Sequence, residues 1–255
     1  MKTQTALALW ILVAGAAMAH AQTGIWMGVG PAPHSGTIKN VPFSADLVTV
    51  NDHANGQPGI KTEFHGKAAR DSQGDSYFAM ELARPEPNPT RPMRVTITDP
   101  AALTITTLDQ QTKTAYVSHV TAAALGTAPM LTPGSIPATP DGKPAVATSV
   151  TPAGPEVKTE SLGTKDIHGV QTVGVRTIRT TPPNGSSDKP FVSTADVWTS
   201  PELKVVVLNE VHTSSGDHHV TSLENIVRTE PSAALFQIPS GYTIRDNAPM
   251  PSNAH

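Results

Sequence analysis

Stretches of strict alternation between apolar and polar positions dominate the chain. Phe43-Ser-Ala-Asp-Leu-Val-Thr-Val50 is rich in β-branched residues and ends at Asn51-Asp52, before a turn cluster at Asn55 to Gly59. Ile60 to Arg70 alternates, with Ile60, Thr62 and Phe64 on one face and Lys61, Glu63 and His65 on the other. Asp71-Ser-Gln-Gly74 is a short turn into Asp75 to Ala83, which completes a three-strand meander. After a connector with four Pro between Arg84 and Pro92, Met93 to Asp99 alternates again and Pro100 stops it. Leu103 to Leu108 and Lys113 to His119 form a hairpin around Asp109 to Thr112.

Beyond Pro155 the pattern resumes. Glu156 to Leu162 precedes a tight segment from Gly163 to Gly169, and Val170 to Thr181 alternates. Val192 to Thr199 and Leu203 to Asn209 pair about Ser200-Pro-Glu202, and His219 to Arg228 is the next strand. Glu230 to Phe236 fits one short helical turn, with Pro231 early and Ser232 placed to cap it. Gln237 to Ile244 is a closing extended piece. No amphipathic helix of useful length occurs, which excludes parallel βαβ units as the main architecture. The expectation is a mainly β protein of about ten antiparallel strands with one or few short helices.

The N-terminus departs from this pattern. Met1-Lys2 precedes an apolar run from Ala6 to Ala19, which closes on Ala19-His20-Ala21. That is the three-part plan of a signal peptide, spanning 1–21, with Gln22 as the new terminus. The run is too short for a membrane-spanning helix, and no later stretch is long enough, so no transmembrane span is expected in the mature chain. The domain plan is then a loose arm over 22–40, one antiparallel β domain over 41–245, and a loose tail over 246–255. A Pro/Ala/Thr-rich excursion at 121–155 interrupts the domain. It carries seven Pro and only two charges, Asp141 and Lys143, too little apolar surface to offset its ordering entropy.

Composition narrows the function classes. Among 255 residues there is no Cys, which removes disulfides, thiolate metal sites and a Cys nucleophile. An exported domain without disulfides is held by sheet burial alone. A formal charge of −3 argues against a nucleic-acid partner. Gly-x-Ser-x-Gly, His-Glu-x-x-His, a phosphate-cradling Gly loop and a dinucleotide fingerprint are all missing, so no catalytic residue, enzymatic activity or cofactor is expected. Glu63 and Glu81 sit on neighbouring strands and read as solvated faces. His212, Asp217, His218 and His219 crowd one predicted turn and are the candidate Zn²⁺ or Cu²⁺ ligands. Adjacent strand residues point to opposite faces, so His218 and His219 do not share an ion readily, and the cluster reads first as a solvated turn. Trp198 and Phe236 stand out because aromatics make up only 4% of the chain. They read as core anchors, or alternatively as the lining of an apolar pocket.

Several strings resemble a group of uncharacterised exported proteins of the acidobacterial type. These are Pro42-Phe-Ser-Ala-Asp46, Arg70-Asp-Ser-Gln-Gly74, Ile97-Thr-Asp-Pro100, Leu162 to Val170, Trp198 to Leu203 and Glu230 to Pro239. The group is similar in pattern to the LolA-like lipoprotein-carrier superfamily, through its meander, its Gly-turn-Gly step into a long strand and its final acidic-Pro-x-x-x-Leu-Phe segment. The resemblance implies a curved, half-barrel-like antiparallel sheet. It also implies a binding or carrier module for an apolar ligand or a lipoprotein-like partner, in the periplasm or outside the cell. A structural or interaction protein of the envelope and a weak metal-binding protein are the alternatives.

Overall fold

The computed structural model describes residues 37–53, 60–81, 93–122, 125, 147–149, 155–183 and 188–247. The expected signal peptide, most of the arm, most of the Pro-rich excursion and the end of the tail lie outside these residues.

The first half is a meander of β1 (Phe43–His53), β2 (Ile60–Arg70), β3 (Ser76–Glu81), β4 (Met93–Asp99), β5 (Thr104–Asp109) and β6 (Thr114–His119). The second comprises β7 (Ala147–Ser149), β8 (Glu156–Ile167), β9 (Val170–Thr181), β10 (Phe191–Ser200), β11 (Val205–Thr213) and β12 (His218–Val227). A 3₁₀ turn (Ala233–Phe236) then leads to β13 (Thr243–Asn247). All belong to one open, curved sheet in the order β13-β6-β5-β4-β3-β2-β1-β12-β11-β10-β9-β8-β7. The two meanders join where β1 pairs with β12, Leu47 opposite Leu223.

Aspartates set the hairpins. Asp71 accepts the N–H groups of Gln73, Gly74 and Asp75, each at 2.9 Å. Asp99 accepts those of Ala101 and Ala102, and Asp109 those of Gln111 and Thr112. Each carboxylate substitutes for backbone acceptors in a tight turn. Between β8 and β9 the turn is His168-Gly169, both left-handed at φ 52° and 76°, the signature of a two-residue hairpin with primed geometry.

Four features differ from the sequence expectation. There are thirteen strands among the described residues, more than the ten or so expected. β13 pairs with β6 in parallel, Thr243 beside Thr114, so the sheet is not purely antiparallel. β8 runs through Gly163 to Ile167, a register shift between Ser161 and Gly163 absorbing the irregularity as a bulge. Ser232 makes no side-chain cap; its carbonyl accepts the Leu235 N–H at 3.0 Å instead.

Two apolar clusters form. One gathers Phe43, Ala45, Leu47, Ala68, Leu223, Val205 and Val207 with Leu203, Ile167 and Val170. The other gathers Ala79, Val95, Ile97, Leu108 and Ala115. Register places them on opposite faces. Ala45 pairs with Ala68 and Ala68 with Phe78, whereas Ala79 pairs with Lys67, one residue out of phase. The chain leaves β12 mid-sheet and crosses β3 and β4 to reach the far edge. On the way it lays Phe236, Ile238 and Tyr242 over the second cluster.

Candidate functional site

The β11–β12 hairpin carries the histidines. Its turn is held by the Asp217 carboxylate, which accepts the hydroxyls of Ser215 at 2.7 Å and Thr213 at 3.3 Å. The Asp217 N–H donates back to Thr213 Oγ1 at 3.2 Å, and Gly216 supplies a left-handed φ of 90°. Asp217 is therefore a turn-forming residue. With the turn fixed, His212 stands directly opposite His218. Residue i−2 on a strand shares the face of residue i, so Glu210 joins them.

Glu210 Oε1 lies 3.2 Å from His212 Nε2 and 2.8 Å from His218 Nε2. The two imidazoles stack, centroids 4.1 Å apart and planes 7° from parallel. His219 points to the other face, opposite Asn51 and Val211, with Nε2 3.4 Å from Thr221 Oγ1. Of the four residues singled out in the sequence, then, the fold brings His212 and His218 together. It uses Asp217 in the turn and separates His219.

Glu210 was missed because the strand was expected to stop at Asn209. The usable signal was the alternation itself, since Glu210 sits two residues before His212. Beside it, Asp196 faces Glu210 in register and binds Arg176 through two bonds of 2.7 and 2.6 Å. That fork raises the Arg176 pKa, with Asp196 its main cause and Glu160 and Glu210 adding smaller attractions.

On the same face, across β12, β1, β2 and β3, lies an open groove of 460 Å³. Asp46, Glu63, Glu81 and Glu224 line it together with His65 and Lys67. Glu63 and Glu81 both contact His65 here. Glu81 accepts the His65 N–H at 3.1 Å, and Glu63 lies 3.3 Å from the His65 ring. Lys67 pairs with Asp46 at 3.5 Å, so the groove is a wet, charge-mixed surface.

Trp198 and Phe236 are placed apart. Trp198 packs at the margin of the first cluster, with Lys165 Nζ 5.6 Å from its ring centroid. Phe236 belongs to the crossing segment over the second cluster.

No family model matches the chain, and no curated protein does. Solved structures are similar to the chain. One of them is a DUF1329 family protein from Desulfovibrio piger, matched over 77% of this chain and 89% of that one at 10% identity, with a TM-score of 0.19. A likeness that distant carries no argument about activity.

On the face opposite the groove, the first cluster forms a strip across β2, β1, β12 and β11. Polar side chains border it. Thr49 and Thr221 share a buried hydroxyl contact of 3.2 Å. Among the described residues, Asn51 Oδ1, Asn209 Oδ1 and Thr177 Oγ1 are buried with no hydrogen-bond partner. Register puts all three on this face, through Asn51–His219–Val211–Ala195–Thr177 and through Thr221–Asn209.

Proposed function

We propose that the protein is an exported, non-enzymatic binding module that carries an apolar ligand with a polar end, such as a fatty acid, on the apolar face of its curved sheet. The observation that supports this is the pairing of two features on one face. Phe43, Leu47, Val207 and Leu223, each 1% exposed or less, make an apolar strip, and unpartnered polar atoms of Asn51, Asn209 and Thr177 lie on the same face. A buried acceptor left unpaired costs about 1–3 kcal/mol, so several on one face call for a ligand or water that satisfies them. An acyl chain whose head donates hydrogen bonds, as a hydroxyl, an amide N–H or a protonated carboxyl does, supplies both contacts. Export rests on the leader-like sequence at 1–21, and the lipoprotein-carrier resemblance supports carriage in the periplasm or outside the cell.

Native mass spectrometry of the chain purified from a bacterial host tests the reading. A lipid adduct is expected, removed by delipidation and restored by adding palmitate. Strictly apo protein that takes up no palmitate would overturn it.

A further inference from the structure

We infer that Glu210, His212 and His218 form a binding site for a divalent transition-metal ion of the Zn²⁺ or Cu²⁺ kind. Among the described residues this is the one place where three ligating side chains converge, their ligand atoms all within 4.8 Å of one another. Other histidine–carboxylate contacts, His65 with Glu63 and His119 with Asp246, are pairs.

The geometry follows from sheet periodicity. Residues i and i+2 on β11 share a face, and the residue opposite on β12 faces them at cross-strand distance. A tetrahedral ion with bonds of 2.0–2.1 Å holds its ligand atoms about 3.3 Å apart. The two Nε2–Oε1 separations, 3.2 and 2.8 Å, are close to that value before any ion is added. Little rearrangement is then needed for the trio to close on an ion.

Two imidazoles and one carboxylate are borderline ligands suited to Zn²⁺ and Cu²⁺ rather than Ca²⁺ or Mg²⁺. Three protein ligands leave further coordination positions open, and the exposed His212 gives access from solvent. Asp52, opposite His218 on β1, lies on the same face at the margin. Arg176, in register with Glu210 through Asp196, is engaged by the Asp196 carboxylate, which limits its competition for Glu210. The site is on the sheet face opposite Asn51, Asn209 and Thr177, so it stands or falls independently of the carrier reading.

Calorimetric titration of the purified chain with Zn²⁺, and electron paramagnetic resonance with Cu²⁺, provide the test. One ion per chain with micromolar affinity is expected, and two nitrogen ligands in the Cu²⁺ spectrum. His212→Ala and His218→Ala should each weaken binding by roughly ten-fold or more and leave one nitrogen. His219→Ala, on the other face, should change neither readout. Circular dichroism verifies that the variants fold, and Glu210→Gln gives a milder third probe that keeps the side chain's size. Absence of saturable binding to wild-type protein overturns the proposal. So does unchanged binding in folded His212→Ala and His218→Ala proteins, which would put the ion elsewhere.

Discussion

Arg70 is 3% exposed and carries its charge into the core between β2 and the β10–β11 turn. Its Nε and Nη2 donate to the Val41 carbonyl at 3.1 and 2.9 Å, Nη2 also donates to the Leu203 carbonyl, and the Phe43 ring lies 5.1 Å away. Burial lowers its pKa to about 10, which still leaves it charged at neutral pH. One guanidinium thus joins three separate segments through carbonyls, a task that needs the planar fork of Arg. Asp75, nearby in the chain, shows the opposite strain. Desolvation first, then repulsion from Asp71 and Asp99, raises its carboxyl from 3.8 to about 6. Between those values the folded state binds more protons than the unfolded state, so stability falls as pH rises through that window and stays lower above it. Asp75→Asn should therefore stabilise the protein at about pH 7.5, on the order of 1 kcal/mol once solvent screening of this partly exposed group is allowed for. Near pH 3.5 the gain should vanish. Urea denaturation at the two pH values measures it, and an equal gain at both would show that charge is not the cause.

At the scale of elements, the strands that alternate and end in Asp or Gly were legible before the fold was known. β2, β4, the β5–β6 hairpin, β9 and β10 lie where periodicity placed them, whereas β11 starts at Val205 and runs past Asn209 to Thr213. What failed had physical reasons. β13 is exposed at every position and carries no alternation, so its parallel pairing with β6 leaves no trace in the pattern. Gly163 looked like a turn, but a bulge accommodates it within β8. Alternation also tells that a strand has one buried face without telling which side of the sheet that face joins, and pairing register decided that the two clusters lie on opposite sides. Of the candidate metal ligands, strand parity correctly separated His218 from His219, while Glu210 needed the full length of β11 to be known. Gly174 is a further element-level constraint, because Trp198 stands opposite it and covers it. A Cβ there would meet the Trp198 ring at 2.7 Å. In an open strand Gly→Ala is stabilising by roughly 0.5–1 kcal/mol. Gly174→Ala should instead cost about 1–3 kcal/mol, as overpacking does. In a Trp198→Ala background the penalty should fall below about 0.5 kcal/mol, as read from a double-mutant cycle of unfolding free energies. A penalty that persists there would mean the indole is not what Gly174 accommodates.

At the scale of the whole molecule, the described residues form an open sheet, and the segment after β12 pairs along the β6 edge and becomes the terminal strand there. It is tied at its start by Arg228, which donates to the Gly169 carbonyl at 2.9 Å, and by Glu230, which accepts the Ser72 N–H and hydroxyl at 3.1 and 3.2 Å. It is tied at its end by the Thr243 N–H to the Lys113 carbonyl at 2.8 Å and by His119 with Asp246 at 3.0 Å. Between these ties Phe236, Ile238 and Tyr242 cover the second cluster, and Lys113 Nζ sits 5.3 Å from the Tyr242 ring centroid. β13 buries none of its own residues, so its attachment depends on that cover. Removing the anchor should consequently loosen one half of the sheet and spare the other. Phe236→Ala is expected to cost about 2–3 kcal/mol, less than a fully buried Phe because the ring is partly exposed. In native-state hydrogen exchange, the amides of β13 and β6 should lose protection while those of β9 to β12 keep theirs. Those strands contribute to the first cluster, whereas Phe236 packs against the second. A uniform loss of protection over all the described strands would contradict this division and make the two clusters a single cooperative unit.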